Sequence, residues 1–525
     1  MISLLDYGAG NVRSVVNALE RLGETVRTVK SGNDILNADR LVFPGVGSFG
    51  AMMEILRDKG FVEPLTEYLR TGRPFFGICL GLQALFESSE EAPGVDGLAI
   101  IPGTVKRFTV DLAVPHIGWN GIQVRQPSRI FNGLAGDEKF YFVHSYHVAP
   151  DADESVLTTT DYGYRFVSGI RQGNIVATQF HPEKSGAAGL KLLENFLAET
   201  REEIIPASCP DQTVLAKRII ACLDVRTNDQ GDLVVTKGDQ YDVREKGDVR
   251  NLGKPVQLAG RYYVEGADEI TFLNITGFRD FPLKDMPMLE VLENTSRNVF
   301  VPLTIGGGIR DYKDKEDRRY SALEVAAEYF RSGADKISIG SDAVLIVEEV
   351  LKTGKATGFS SIEQIARVYG NQAVVISIDP RRVYVKSPDA VRHHTIRTSF
   401  PGPEGEEYCW YQCTIKGGRE GRDLDAVTLA RVCEQLGAGE ILLNCIDRDG
   451  TNSGFDLELI KSVKGAVTIP VIASSGAGKA EHFLEVFTRT GAEAALAAGI
   501  FHRREVSIAE VKELLKKEVE VRISG

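Results

Sequence analysis

Four apolar segments in the second half of the chain recur, in the same order, further along it. RIIACLDVR at 218–226 is echoed by AVVISIDPRR at 373–382, and GADEITFLNIT at 266–276 by GAGEILLNCID at 437–447. VPLTIGGGIRD at 301–311 returns as IPVIASSGAGK at 469–479, and GADKISIG at 333–340 as GAEAALAAG at 491–499. The offsets run from roughly 155 to 171 residues. Each segment has strand length and is followed by helix-like sequence, so two copies of four strands make eight. A parallel eight-stranded set with helices between its strands closes as a (β/α)8 TIM barrel, with its active site at the C-terminal strand ends. The half-barrel repeat also predicts matching chemical groups on opposite sides of one mouth.

The rest of the chain reads differently. ISLLDYG, an amphipathic stretch from Asn11 to Leu22, RLVFPGVG and PFFGICLG give strand, helix, strand, strand, an α/β pattern with a largely parallel sheet over 1–200. The period lapses at TREEIIPASCPDQT, which places a linker at 201–214 and the barrel at 215–525. The 525 residues, 43% apolar and 26% charged, have the make-up of a globular protein. A net charge of −12 supplies no field for nucleic acid or anionic membranes, so a phosphorylated substrate must be held by a local site. The seven cysteines show no repeated CxxC, which excludes a disulfide scaffold and a zinc finger; Cys409 and Cys413 lack companions, and no metal or cofactor is expected. No apolar run approaches the ~20 residues of a membrane span, and MISLLDYGAG reads as a buried strand and turn rather than a signal peptide. A soluble intracellular monomer is expected.

Pro74-Phe75-Phe76-Gly77-Ile78-Cys79-Leu80-Gly81 is an apolar strand that breaks at G-x-C-x-G into a helix. The flanking glycines allow a sharp turn that exposes a thiol at a helix N-terminus, where the dipole favours thiolate and backbone N–H groups, that of Leu80 foremost, can hold an oxyanion. Thr178-Gln179-Phe180-His181-Pro182-Glu183 supplies an imidazole and, two residues on, a carboxylate to orient it. Together these motifs resemble the class I glutamine amidotransferases, over roughly 1–200. The resemblance implies that Cys79 attacks the glutamine carboxamide, His181 shuttles the proton and Glu183 orients His181. It also implies that the loop Gly45-Val46-Gly47 helps form the oxyanion hole. His116, His144 and His147 are left as structural.

In the barrel the repeat sets Asp224 at the end of strand one and Asp379 at the end of strand five. Opposed carboxylates suit acid–base work if their environments push their pKa values apart; strand-ending aspartates can also merely cap loops. Gly306-Gly307-Gly308 after strand three and Ser474-Ser475-Gly476 after strand seven can aim N–H groups at phosphates, joined by Gly340-Ser341 and Ala498-Gly499 after strands four and eight. Two such turns related by the repeat suggest a substrate with a phosphate at each end. LAKRIIACLDVR, VVTKGDQYDVR, ISIDPRRVYV, EILLNCIDRDGT and VIASSGAGK resemble the cyclase barrel of the imidazole glycerol phosphate synthase family, and the attached glutaminase brings the single-chain plant and fungal form to mind. That resemblance implies that ammonia and N′-phosphoribulosyl-formimino-AICAR ribonucleotide give imidazole glycerol phosphate and AICAR ribonucleotide, a step of histidine synthesis. Asp224 and Asp379 would then be the acid–base pair, and Lys237, in a long loop, would hold substrate as that loop closes.

Arg218, Glu269, Lys336 and Glu440 sit at the starts of strands one, two, four and six. As ordinary rim charge they would contribute ~0–1 kcal/mol per pair; the resemblance turns them into a gate through which ammonia enters the barrel. Lys184 and Asp335 are candidates for an interdomain ion pair. The sugar-phosphate isomerase barrel of histidine synthesis shares the repeat and aspartate pair but has no use for ammonia. A silent scaffold would predict damage to the triad or the aspartates, and both are intact. The plant-like segments FLNITGFRDFPL and DQYDVREKGDVRNLGKP make a plastid stromal location the expectation for a plant or alga, and the cytoplasm otherwise.

Overall fold

A computed structural model describes residues 1–8, 10–198, 202–228, 232–236, 244–245, 248–249, 251–275, 283 and 286–523. In the N-terminal part, strands Val26–Thr28, Ile2–Leu4, Leu41–Gly45, Phe75–Cys79 and Ile175–Thr178 lie side by side in that order, all parallel. Leu41–Gly45 and Phe75–Cys79 are buried along their whole length, as unbroken apolar runs in a parallel sheet must be. The largely parallel pattern ends there. Tyr164–Gln172, Tyr146–Pro150 and Gly103–Arg107 extend the sheet antiparallel to one another, and Tyr164–Gln172 runs antiparallel to Ile175–Thr178. The sheet is therefore mixed: short turns such as the one at Gly163 join consecutive strands directly, without a crossover helix.

The eight barrel strands are Arg218–Thr227, Glu269–Asn274, Leu303–Gly306, Lys336–Ile339, Val374–Ile378, Glu440–Asn444, Val471–Ser474 and Ala494–Ala497, here counted one to eight. Each pairs in parallel with the next, and strand eight closes on strand one with Arg218 opposite Ala494 and Ala221 opposite Ala497. Side chains two apart share a face of a strand, so each inward-facing row can be read from bottom to mouth. In strand one the row is Arg218, Ile220, Cys222, Asp224; in strand six it is Glu440, Leu442, Asn444. Ile220, Cys222, Val375, Leu442, Ile472, Ala494 and Leu496 pack together as an apolar layer between the charged first row and the polar last row.

The two parts meet at the N-terminal strand ends. Trp119 Nε1 donates to the Asp268 carbonyl at 3.0 Å, Asn11 Nδ2 to the Gly333 carbonyl at 2.9 Å, the Gly186 N–H to Phe300 O at 3.0 Å and the Val114 N–H to Thr468 O at 3.0 Å. Each acceptor lies just ahead of a barrel strand, so the α/β part sits under the barrel floor. The expected linker runs along the first part, with Ser128 donating to Ile204 O and Ser208 to Ala135 O. The long stretch after strand five folds as a small antiparallel sheet of Pro380–Val385, Thr395–Arg397, Tyr408–Ile415 and Glu420–Asp425. Arg382, nearly buried, ties it to Asp456 at 2.8 Å and Glu458 at 3.1 Å beside the loop after strand six.

Candidate active sites

Cys79 ends an all-buried strand and turns with φ 53°, ψ −105° into the short helix Leu80–Gln83. A cysteine held at positive φ is a strained backbone position, and such strain clusters at functional turns. A side chain at Gly81 would lie 2.1 Å from the Phe43 carbonyl, which explains the glycine after the cysteine. His181 Nδ1 lies 2.8 Å from Glu183 Oε1, both nearly buried. Burial alone would lower the imidazole's pKa; the Glu183 carboxylate, then Cys79, outweigh it and push it up to about 10. An imidazolium facing the sulfur is the partner a thiolate needs.

Gly45 pairs with Cys79 across the neighbouring strand, and a side chain on it would meet Leu80 and Gly81. The Val46 N–H donates to Tyr7 Oη at 2.9 Å, and the same hydroxyl donates to the Val46 carbonyl. An oxyanion at Cys79 must therefore compete with a buried phenol for that N–H. Gly47 abuts the barrel: a side chain there would meet the Val368 carbonyl at 2.8 Å.

At the barrel mouth one cavity of about 710 Å³ is lined by Asp224, Asp379, Gly307, Gly308, Ser341, Ser475, Gly476 and Gly499. Asp379 Oδ1 accepts from Asn444 Nδ2 at 2.9 Å, and burial, only partly offset by Asn444 and Ser377, raises its carboxyl pKa. A carboxyl biased towards its protonated form is what a general acid requires. Gly307 has φ +92° and a side chain on it would meet the Asn274 carbonyl; Gly476, with φ +95°, would meet that of Gly454. Both positions admit only glycine, and they fall at repeat-related places. Ser341 opens the helix Ser341–Thr353, so the first glycine turn also has a helix N-terminus beside it, a pairing suited to an anion. Lys237 lies outside the described residues. Sequence reasoning passed over Asn444 and the hairpin Ile415–Glu420, whose Lys416, Gly417 and Arg419 also line the cavity. Asn444 stands two residues beyond Leu442 on the inward row, a signal that the strand period contains.

Directly beneath this mouth, at the barrel floor, Arg218 donates to Glu269 at 2.9 Å and to Glu440, while Lys336 reaches Glu269 at 2.6 Å and Glu440 at 2.7 Å. The four form a closed ring of alternating sign, each at most 1% exposed. All four are the first residues of their strands and share the inward faces that lead, through the apolar layer, to the mouth. Lys184, next to Glu183, pairs with Asp335 at 2.7 Å, the residue before Lys336. Asp335 also accepts from Asn11 and from the Leu303 N–H. Among the described residues no group of three His, Cys, Asp or Glu side chains converges as metal ligands, and no helix is long and apolar enough to cross a membrane.

Fold and sites together define a glutamine amidotransferase of class I joined to a (β/α)8 barrel with a cavity at its mouth. Comparison with known proteins gives the same two parts: residues 3–200 match the family described as glutamine amidotransferase class-I, and residues 218–507 match histidine biosynthesis protein. Over the whole chain it is 61% identical to imidazole glycerol phosphate synthase hisHF, chloroplastic, of Arabidopsis thaliana, covering 90% of that protein. It is 55% identical to imidazole glycerol phosphate synthase hisHF of Schizosaccharomyces pombe, with 98% of each chain covered. Residues of the barrel alone are 42% identical to the whole of subunit HisF of Methanosphaera stadtmanae, over 59% of this chain. The chain belongs to the imidazole glycerol phosphate synthase family.

Proposed function

We propose that the chain hydrolyses glutamine at Cys79 and delivers the ammonia through the barrel to N′-phosphoribulosyl-formimino-AICAR ribonucleotide. The products are imidazole glycerol phosphate, for histidine synthesis, and AICAR ribonucleotide. The Cys79 thiolate adds to the carboxamide carbon; the C–N bond breaks as His181 gives its proton to the leaving nitrogen, so ammonia departs and a thioester remains. Water, deprotonated by His181, then releases glutamate and the thiol. Ammonia in neutral water becomes ammonium and loses its nucleophilicity, so a closed path favours the reaction. The observation that carries this reading is the continuous inward face that runs from the charged ring through the apolar layer to Asp224 and Asp379. The ring acts as the gate, Lys184–Asp335 as the tie between the domains, and Asp224 and Asp379 as the acid–base pair. Gly307, Gly308 and Ser341 hold one phosphate, and Ser475, Gly476 and Gly499 the other, with Lys237 closing over the substrate. The name of the Arabidopsis relative extends the reading to a plastid if the chain comes from a plant or alga.

The test supplies the ribonucleotide with either glutamine or ammonium and detects both products. Cys79→Ala is expected to abolish turnover with glutamine and keep it with ammonium, whereas Asp224→Asn abolishes both. Loss of the ammonium-dependent reaction in folded Cys79→Ala would contradict this division of labour.

A further inference from the structure

Gln179 has no part in the triad, yet its side chain touches the triad's sulfur. It is fully buried, and its Nε2 lies 3.4 Å from Cys79 Sγ. Which end of the amide faces the sulfur is fixed by what lies behind it. Gln83, also buried, donates from Nε2 to the Tyr146 carbonyl at 3.2 Å and to Gln179 Oε1 at 3.1 Å. A carbonyl can only accept, so Gln83 must present its nitrogen there; Gln179 must then meet that donor with its oxygen and turn its own NH2 to Cys79.

The same logic extends further back. His144 Nδ1 lies 2.7 Å from the Tyr146 carbonyl and so carries a proton, which leaves Nε2 as acceptor for His116 Nδ1 at 3.1 Å. Asn120 Nδ2 completes the chain at 3.3 Å from His116 Nε2. Gln83 and His144 therefore both donate to the Tyr146 carbonyl, and the Gln83 donor sets the orientation of Gln179.

From this geometry we propose that Gln179 is a catalytic residue of the glutaminase, whose amide N–H donates to the Cys79 sulfur and holds it as the thiolate. The inference rests on Cys79 being the nucleophile. A donor aimed at sulfur is charge-assisted when the sulfur is anionic and weak when it is a thioester. It therefore favours the attacking form before acylation and the departing thiolate in the hydrolysis of the thioester. The other group that acts on the sulfur is His181, with Glu183 behind it, while the Tyr7 phenol, bonded to Val46, feels its charge from further off. His181 supplies charge and Gln179 supplies a fixed dipole, so neither replaces the other.

The full chain tests this. Alkylation of Cys79 by iodoacetamide is followed across pH 5–10 by mass spectrometry of its peptide, in the natural protein and in Gln179→Met and Gln179→Glu. Met keeps the length and loses the donor; Glu keeps the shape and puts an anion beside the sulfur. Both variants are expected to move the midpoint of alkylation up, by about one pH unit for Met and further for Glu. Glutamine turnover falls at least in step, while ammonium-dependent synthesis in the same preparation is unchanged and reports an intact fold. An unmoved midpoint in whichever variant keeps the ammonium reaction overturns the proposal and leaves the Cys79 reading standing. Glutamine turnover that survives in Cys79→Ala overturns both.

Discussion

Burial would strip His181 of its proton, yet the Glu183 carboxylate 2.8 Å away keeps it an imidazolium up to about pH 10. Glu183→Gln keeps the hydrogen-bond length and removes the charge. Glutamine turnover should fall by about 10²–10⁴-fold, the range for loss of a charge that orients a catalytic histidine, with a pH–rate profile displaced to lower pH on its His181 limb and the ammonium reaction intact. A drop of less than threefold with an unmoved profile would show that orientation alone matters. At this scale the motifs were legible because each lies in one short stretch: G-x-C-x-G and F-H-P-E carry strand, turn and side chain together. Gln83 and Gln179 were not. They belong to those same stretches, but their roles depend on two segments meeting across the sheet, 96 residues apart in sequence.

At the scale of elements, His116 and His144 face each other on the paired strands His116–Asn120 and Phe140–His144, His147 follows on Tyr146–Pro150, and burial shifts all three towards the neutral form. His144 is held to about 3 by burial, and His116 and His147 are lowered by the same cause. Their unfolded counterparts titrate near 6.5. Above that pH both states are neutral and the cluster adds no pH dependence. Below it the unfolded chain takes up protons that the folded one resists, so stability falls with pH. His181 acts in the other window: its contribution is fully present below about 6.5 and is lost as the pH rises through about 10. Denaturant titrations from pH 7 to 4.5 should show a stability that falls steeply below 6.5 and a shallower fall in His147→Gln. A flat profile would mean that the cluster is protonated or open to water. The repeat made the barrel strands readable, since four ordered echoes leave few folds. The stretch 380–423 is longer than a compact barrel loop requires, but a residue count says nothing of which strands will pair.

At the scale of the whole molecule, the ring of Arg218, Glu269, Lys336 and Glu440 holds four charges at the barrel floor, out of water. A buried ion network contributes little over apolar residues of equal size, but losing one member leaves an uncompensated charge at a cost of ~3–5 kcal/mol. Glu440→Gln removes the anion shared by Arg218 and Lys336, and denaturant unfolding should register a loss in that range; a loss below ~1 kcal/mol would describe a solvated rim. The ring stands where the two parts meet: below it lies the glutaminase, above it an apolar layer and the carboxylate mouth. On this reading the nitrogen never leaves the path between the two sites. Turnover with [15N-amide]glutamine in the presence of a large excess of unlabelled ammonium, at a pH where the direct ammonium reaction is slow, measures it directly. Channelled nitrogen should give imidazole glycerol phosphate carrying 15N almost quantitatively; product diluted to the isotopic composition of the bulk ammonium would show that it escapes.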